Sequence, residues 1–253
     1  MFEIAADLAA LLVLAALVAG FVDAIAGGGG LITVPALLPA GASPVEALAT
    51  NKLQGTFGSA TASLAYARAG HVRLRDQAGM AAISGLGGAA GALAAHLIPA
   101  EALRVIMPAV LIGVAAFFAF RKGLSDADRV ERMRPAIFAF TAVPLIGAYD
   151  GLFGPGTGSF FMIAFVALAG FGVLKATAHT KLLNFASNLG SLLVFAFSGA
   201  TWWMTGLAMA LGQVAGAALG ARLAMRVGAR MIRPLLVVTS TAMALRLIWQ
   251  AMA

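Results

Sequence analysis

Hydrophobic residues run along this chain in stretches of about twenty, separated by short polar segments. A helix of about 20 residues crosses a hydrocarbon core of roughly 30 Å, so most of these stretches are long enough to span a bilayer. The elements beginning at Leu31 and Ser159 are too short, and we expect each to be a half-helix starting near mid-membrane or a re-entrant segment. The predicted elements are Ile4–Ala26, Leu31–Ala40, Pro44–Ala69, Leu74–Leu97, Ala100–Arg121, Pro135–Phe153, Ser159–Ala169, Val173–Phe197, Thr201–Met225 and Ala229–Met252.

The first half of the chain is repeated in the second half. An offset of 127 positions aligns Asp23 with Asp150, and after a two-residue insertion an offset of 129 aligns Lys52 with Lys181. We therefore predict an all-α integral membrane protein of about eight to ten segments, with broken or re-entrant helices, built from two repeats of inverted topology. The first repeat covers residues 1–122, a cytoplasmic linker covers 123–134, and the second repeat covers 135–253.

Glycines also recur at four-residue spacing within both repeats, around Gly87 to Gly91 and at Gly212, Gly216 and Gly220. Small residues at this spacing are typical of closely packed membrane helices. We expect these glycines to serve packing alone, and alanine to be tolerated at Gly91.

Composition and charge support a membrane location. The chain is 61% hydrophobic and 11% charged, with a mean hydropathy of +0.95, which leaves too little polar surface for a soluble domain of 253 residues. The net charge of +7 does not indicate nucleic acid, because the basic residues cluster around 68–75, 121–134 and 222–233. Short basic loops are typical of the cytoplasmic side, which places both termini in the periplasm.

Four ionisable residues interrupt the hydrophobic stretches: Asp23, Lys52, Asp150 and Lys181. Each would cost several kcal/mol if unpaired inside a membrane, so they require partners or a wet cavity. A purely structural ion pair between a lysine and Asp23 or Asp150 is the alternative to a binding role. Amide side chains lie close by in the sequence, which makes the surroundings of both lysines polar.

Two glycine-rich breaks complete a candidate anion site. Breaks at Gly27–Gly30 and Gly154–Gly158 leave backbone N–H groups free, and the helix that follows each break directs its positive end towards it. The predicted substrate-binding residues are Gly27, Gly28, Gly29, Gly30, Asn51, Lys52, Gly154, Gly156, Thr157, Gly158, Lys181, Asn184 and Asn188. The predicted coupling or counter-ion residues are Asp23, Asp150 and His179.

Enzyme chemistry finds little support. The glycines at 154–158 have a dinucleotide-like spacing, but no strand precedes them and no acidic residue follows at the required distance. Ser159 with His179 gives only an incomplete hydrolase pattern. The chain has no cysteine, and no residues show metal-ligand spacing. We expect no catalytic residues, no metal, no cofactor and no enzymatic activity.

Four strings resemble the sulfite exporter TauE/SafE family, also called the TSUP family: DAIAGGGGLITVP at 23–35, ATNKL at 49–53, YDGLFGPGTGSF at 149–160 and KLLNFASN at 181–188. The resemblance covers essentially the whole chain. It implies a multi-pass transporter of the bacterial inner membrane that moves sulfite, sulfoacetate or a related organosulfonate.

Together these features predict a secondary transporter that carries a small anion by alternating access at a midplane site. The chain has no ATP-binding motif, so H⁺ or Na⁺ is the expected coupling ion and the lipid bilayer the other expected partner. A passive anion channel and a sensor-like membrane module remain alternatives. Homo-oligomerisation also stays open.

Overall fold

The computed structural model describes residues 3–99 and 130–228, together with 101–103, 105–106, 109–110, 112–113 and 127–128. This part of the chain is helical and contains no strand. The predicted element Ala229–Met252 lies outside the described residues, as does most of Ala100–Arg121. The helices are α1 Ala6–Ala26, α2 Gly30–Leu37, α3 Pro44–Arg68, α4 Ala78–Leu97, α5 Pro135–Phe140, α6 Ala142–Leu152, α7 Thr157–Ala167, α8 Val173–Phe195 and α9 Trp203–Val227.

Four segments of the described chain are long and apolar enough to cross a bilayer: α1, Leu74–Leu97, Pro135–Leu152 and α9. Helices α3 and α8 are equally long but carry the buried lysines and many of the polar residues. Helices α2 and α7, at eight and eleven residues, reach only about 12 and 17 Å and are too short to cross. The all-helical membrane class predicted from the sequence is confirmed.

Most helix boundaries agree with the hydrophobic pattern, and local signals explain why. Helix α3 begins at Pro44 because Ser43 forms a capping box, in which its Oγ accepts the Glu46 N–H and its own N–H donates to Glu46 at 2.7 Å. The predicted helix Pro135–Phe153 is instead divided at Thr141 into α5 and α6. Pro144 has no N–H to give the carbonyl four residues earlier, so the helix cannot continue undisturbed.

The recurring glycines are packing contacts, as predicted. Gly212 and Gly216 of α9 lie against the backbone of α1, while Gly87 and Gly91 of α4 lie against α6. The expectation that alanine fits at Gly91 is wrong, because a Cβ there would collide with the carbonyl oxygen of Ala148. Backbone-to-backbone contact therefore holds two pairs of helices: α1 with α9, and α4 with α6.

Helices α1, α3 and α9 run in the same direction. Gly212 of α9 lies against Val13 of α1, and Gly220, two turns later, lies against Phe21. Helix α3 follows the same direction, since Leu53 meets the first turn of α9 while Arg68 shares a groove with the last turns of α9.

Helices α4, α6 and α8 run in the opposite direction. The chain reverses in the short segment between α3 and α4, and α4 then runs parallel to α8, with Ser84 bonded to the Leu183 carbonyl and His96 stacked near Phe195. Helix α6 runs parallel to α4, because successive glycines of α4 meet successive turns of α6. At the centre, α3 and α8 pack against each other and bring both lysines into the interior.

Candidate functional site at the two glycine breaks

Both glycine breaks adopt backbone conformations that other residues rarely take. Gly27 and Gly28 have φ values of 72° and 129°, and Gly154 and Gly156 have values of 85° and 86°. An L-residue with a Cβ is strained in this region, so glycine is required for the chain to turn out of one helix and into the next. The breaks predicted from the sequence are therefore present in both halves of the chain.

The two breaks lie against each other in the centre of the protein. A Cβ built on Gly27 would collide with the backbone joining Gly158 and Ser159, which shows how closely the two loops approach. The Ser159 hydroxyl donates a hydrogen bond of 2.8 Å to the Ala26 carbonyl and a further short one to the Gly27 carbonyl. This hydroxyl therefore joins the two breaks.

The carboxylate of Asp23 binds the free backbone amides of the first break. Asp23 Oδ1 accepts hydrogen bonds from the backbone N–H groups of Gly28 and Gly29 at 3.0 and 3.2 Å. Asp23 Oδ2 lies 3.4 Å from the ammonium of Lys181, which also donates to the Asp23 carbonyl. Two amides and one ammonium thus surround a carboxylate of the protein itself.

Asp150 forms the corresponding pair at the second break, with Lys52. Lys52 Nζ lies 2.6 Å from Asp150 Oδ1, and the Ser187 hydroxyl donates to Oδ2 at 2.6 Å. The Asp150 side chain is 2% exposed, whereas that of Asp23 is 18% exposed. The Asp150 pair is therefore the tighter and the more enclosed of the two.

The pairing crosses between the halves of the chain. Lys52 from the first half binds the aspartate of the second break, and Lys181 from the second half binds the aspartate of the first. Both lysines are fully buried. The two pairs sum to zero charge, which is the condition under which four ionised groups are tolerated in a protein interior.

Asn51 presents a hydrogen-bond donor to the space between the breaks. Its Oδ1 accepts from the Thr33 hydroxyl at 2.7 Å and from the Gln54 amide at 2.9 Å. With the oxygen engaged twice, the Asn51 amide must direct its Nδ2–H₂ group the other way, towards Gly30 and Gly154. An anion bound there would receive a hydrogen bond from this group.

Amide side chains from α8 and α9 form the opposite wall. Asn188 Nδ2 donates to the Asn184 carbonyl at 2.7 Å, so Asn188 Oδ1 faces Gly55, where the missing side chain leaves room for it. The side-chain amides of Asn184 and Gln213 are buried and have no hydrogen-bond partner within the described part of the chain. Both are available to a bound molecule.

A cavity of about 30 Å³ lies between these groups. One water needs roughly 10–15 Å³ on this scale, so the cavity has room for about two waters. The cavity is lined by Asp23, Gly28, Gly29, Gly30, Asn51, Gly55, Asp150, Gly154, Gly156, Thr157, Gly158, Asn184, Asn188 and Gln213.

Most of the residues predicted from the sequence meet at this cavity. Gly27, Lys52 and Lys181 lie immediately behind its wall rather than on it. Lys52 Nζ is 3.0 Å from the position of a Cβ on Gly154, and Lys181 Nζ is 3.6 Å from the same position on Gly158. The carboxylates, and not the ammonium groups, face the cavity.

His179 lies apart from the cavity. Its ring contacts Phe165 and Phe171, and its Nδ1 faces the Lys175 carbonyl at 2.8 Å. Nearby, the N–H of Gly172 and the ammonium of Lys175 bind Asp128 and hold the pKa of its carboxyl below the ordinary value. His179 thus belongs to the surroundings of this linker contact.

Gln213 and Gly55 line the cavity, and reasoning from the sequence missed both. Gln213 is a buried polar residue between packing glycines of an apolar helix, which was a usable signal. Gly55 carries no such signal, because its role is to leave space for Asn188, which comes from a distant helix.

Known proteins resemble this chain over nearly its full length. The sequence profile of the family described as "Sulfite exporter TauE/SafE" matches residues 12–247. The chain belongs to this family. Membership makes it a membrane transporter, and the matched region includes both breaks and both lysines.

Individual relatives carry transporter names. A Sinorhizobium sp. protein named "Probable membrane transporter protein ORF9" is 55% identical over 98% of this chain and 95% of its own length. "Probable membrane transporter protein YfcA" of Escherichia coli strain K12 is 44% identical over 99% of this chain and 93% of its own. A Haemophilus influenzae "Probable membrane transporter protein" is 42% identical over 98% and 97%. No solved structure matches the chain at a significant level.

Proposed function

We propose that this protein is a secondary transporter that carries a small sulfur-containing oxyanion, such as sulfite, sulfoacetate or a related organosulfonate, across the bacterial inner membrane. The substrate binds in the cavity between the two glycine breaks. Backbone amides of the first break, the Asn51 amide and the ammonium of Lys181 bind its oxygens, and Lys52 lies behind the opposite wall.

The observation that carries this proposal is the position of the Asp23 carboxylate. Two backbone N–H groups and an ammonium are the groups that proteins use to bind oxyanions, and here they bind a side chain of the same chain. Asp23 therefore stands in for the substrate while the site is empty. A transported anion takes its place, and the carboxylate must leave.

Charge balance explains how the carboxylate leaves. The empty site is neutral, so an added anion would leave one uncompensated negative charge in the membrane interior, which costs several kcal/mol. Protonation of Asp23 removes that charge and releases Lys181 for the substrate. Anion and proton then enter the site together, with Na⁺ beside the ionised carboxylate as the alternative coupling ion.

The arrangement of the helices supports inverted repeats. Helices α1, α3 and α4 of the first half correspond to α6, α8 and α9 of the second, and each runs opposite to its counterpart. Lys52 and Lys181 each lie eight residues after the first residue of their helix, which is about 12 Å along it. Because α3 and α8 run in opposite directions, these distances are measured from opposite sides of the protein. Alternating access follows if one half moves against the other and breaks the crossed ion pairs in turn.

The charge distribution supports an orientation. Arg68, Arg73 and Arg75 at the end of α3 lie on the same side as Arg222 and Arg226 at the end of α9. Glu3 lies on the opposite side, where its carboxylate accepts hydrogen bonds from the first turn of α9. The positive side faces the cytoplasm, which leaves the N-terminus in the periplasm.

A substrate panel in proteoliposomes tests the proposal. Purified protein is reconstituted, and uptake of sulfite, sulfoacetate, an alkyl sulfonate, thiosulfate and acetate is compared with that of empty liposomes. We expect saturable uptake of one or more sulfur oxyanions and counterflow exchange between labelled and unlabelled substrate. Uptake that rises linearly with concentration and does not exchange would indicate a channel, and no uptake of any anion would overturn the proposal.

A further inference from the structure

A second polar feature lies far from the cavity, in a groove between α3 and α9. The groove has a volume of about 420 Å³ and opens on the outer surface of the helices. Arg68 and Arg222 line the groove together with Thr61 and the apolar residues Leu64, Ala65, Ala69, Ala218 and Met225. The groove therefore combines two positive charges with an apolar floor.

The two arginines are free to bind a ligand. Neither forms an ion pair with a carboxylate in the described part of the chain, and both side chains are exposed. Arg68 occupies the last turn of α3, and Arg222 lies near the end of α9. Guanidinium groups bind phosphate oxygens in pairs of parallel hydrogen bonds, which an ammonium cannot do.

The apolar part of the groove faces the acyl region of a bilayer. Leu64 is 47% exposed, and Leu219 and Leu211 on the neighbouring surface of α9 are also exposed. In a chain of this hydropathy such surface contacts lipid, so the groove leads from the acyl layer to two charges at the helix ends. Its occupant must carry a negative headgroup on a hydrocarbon chain.

We propose that this groove binds an anionic phospholipid of the cytoplasmic leaflet, with its phosphate between Arg68 and Arg222 and an acyl chain along Ala65 and Ala218. The lipid bridges α3, which carries Lys52, and α9, which carries Gln213. It thereby holds together two helices that line the transport cavity.

Lipid binding to the full-length protein in detergent tests this proposal by native mass spectrometry. The protein is titrated with dioleoyl-phosphatidylglycerol, with dioleoyl-phosphatidylcholine and with soluble glycerol phosphate. We expect phosphatidylglycerol to bind in preference to phosphatidylcholine. The Arg68→Gln/Arg222→Gln variant should bind phosphatidylglycerol about 10–30-fold more weakly, because each arginine near a charged surface contributes about a fivefold effect.

Matched variants keep the result interpretable. Arg226→Gln removes an exposed arginine that lies one turn beyond the groove and should bind like the wild type. Ala218→Phe fills the apolar part without changing charge and should also weaken binding, which provides a test if the double variant does not fold. Equal binding of both lipids, wild-type binding by the Arg68→Gln/Arg222→Gln and Ala218→Phe variants, or competition by glycerol phosphate as strong as by the lipid would overturn the proposal.

Discussion

Lys52 Nζ and Asp150 Oδ1 lie 2.6 Å apart, although 98 positions separate the two residues in the chain. Asp23 and Lys181 form the reciprocal pair at 3.4 Å. Each repeat is therefore held to the other by a buried ion pair at its glycine break. In the alternating-access cycle that we propose, movement between the halves separates or exchanges these partners, which would connect the stability of the protein with transport.

Removing the lysine of the tighter pair should destabilise the protein. Lys52→Met leaves Asp150 buried with only the Ser187 hydroxyl as partner, and loss of one member of a buried pair costs about 3–5 kcal/mol. Thermal unfolding of the purified protein in detergent measures the effect. Lys52→Met/Asp150→Asn has no unpaired charge, and it should recover most of the stability without recovering transport.

An exposed pair provides the control for that experiment. Lys175 and Asp128 are 44% and 56% exposed at a separation of 3.0 Å, so Lys175→Met should cost no more than about 1 kcal/mol. If Lys52→Met and Lys175→Met unfold at the same temperature, the Lys52 pair does not hold the repeats together.

The packing glycines should differ sharply in their tolerance of alanine. Gly91→Ala places a methyl group against the Ala148 carbonyl, and the overpacking should cost about 1–3 kcal/mol as α4 and α6 separate. Gly79 in the first turn of α4 has nothing within 4 Å of the position that an alanine methyl group would take, so Gly79→Ala should be neutral or raise stability by roughly 0.5–1 kcal/mol. Similar unfolding temperatures for the two variants would contradict the close contact of these helices.

Gln213 should contribute to substrate binding. Gln213→Leu removes an amide from the cavity wall while keeping a similar volume, so substrate affinity should fall about tenfold or more, because a hydrogen bond to a charged group contributes about 1.5–3 kcal/mol. Gln77→Leu is the matched control, because Gln77 is also buried, has an unpartnered Oε1 and lies away from the cavity. Uptake kinetics measure both variants, and equal affinities would remove Gln213 from the site.

The orientation can be tested with reporter fusions. A reporter that is active only in the periplasm should be active when fused before Ala6 and silent when inserted in the segment between α3 and α4, at Arg73. This follows because arginines cluster around Arg73 and none precedes Ala6, and positively charged loops lie on the cytoplasmic side. Activity at Arg73 and silence at the N-terminus would reverse the orientation.

The sequence predicted the helices and the glycine break better than it predicted which charged residues pair with each other. Hydrophobic length located the helices, and four glycines within an apolar stretch indicated the break at Gly27–Gly30, because both signals are local. The crossed pairing of Asp23 and Asp150 is not local, since each aspartate is near either lysine only after two distant breaks have met. The structure brings two amides of the first break and Lys181 together, and what the pattern could not indicate is that the Asp23 carboxylate lies between them.

Two further features show the difference between local and long-range causes. The space left by Gly55 matters only because Asn188 of α8 points into it. The division of the helix at Thr141 had a local cause in Pro144, yet the long apolar stretch around it predicted a single helix. Fold class and most of the site could therefore be predicted, whereas the arrangement of charges required the structure.

In the proposed cycle an anion replaces the Asp23 carboxylate only when that carboxylate takes up a proton. Proteoliposomes with a pH-sensitive dye inside, supplied with an alkyl sulfonate, test this most directly, because a sulfonate stays ionised and any proton that moves must be carried by the protein. We predict that sulfonate and protons enter together in the wild type, and that Asp23→Asn binds the anion without moving protons. Saturable sulfonate uptake by the wild type with no proton movement, at the same rate as by Asp23→Asn, would contradict proton-coupled replacement of the Asp23 carboxylate.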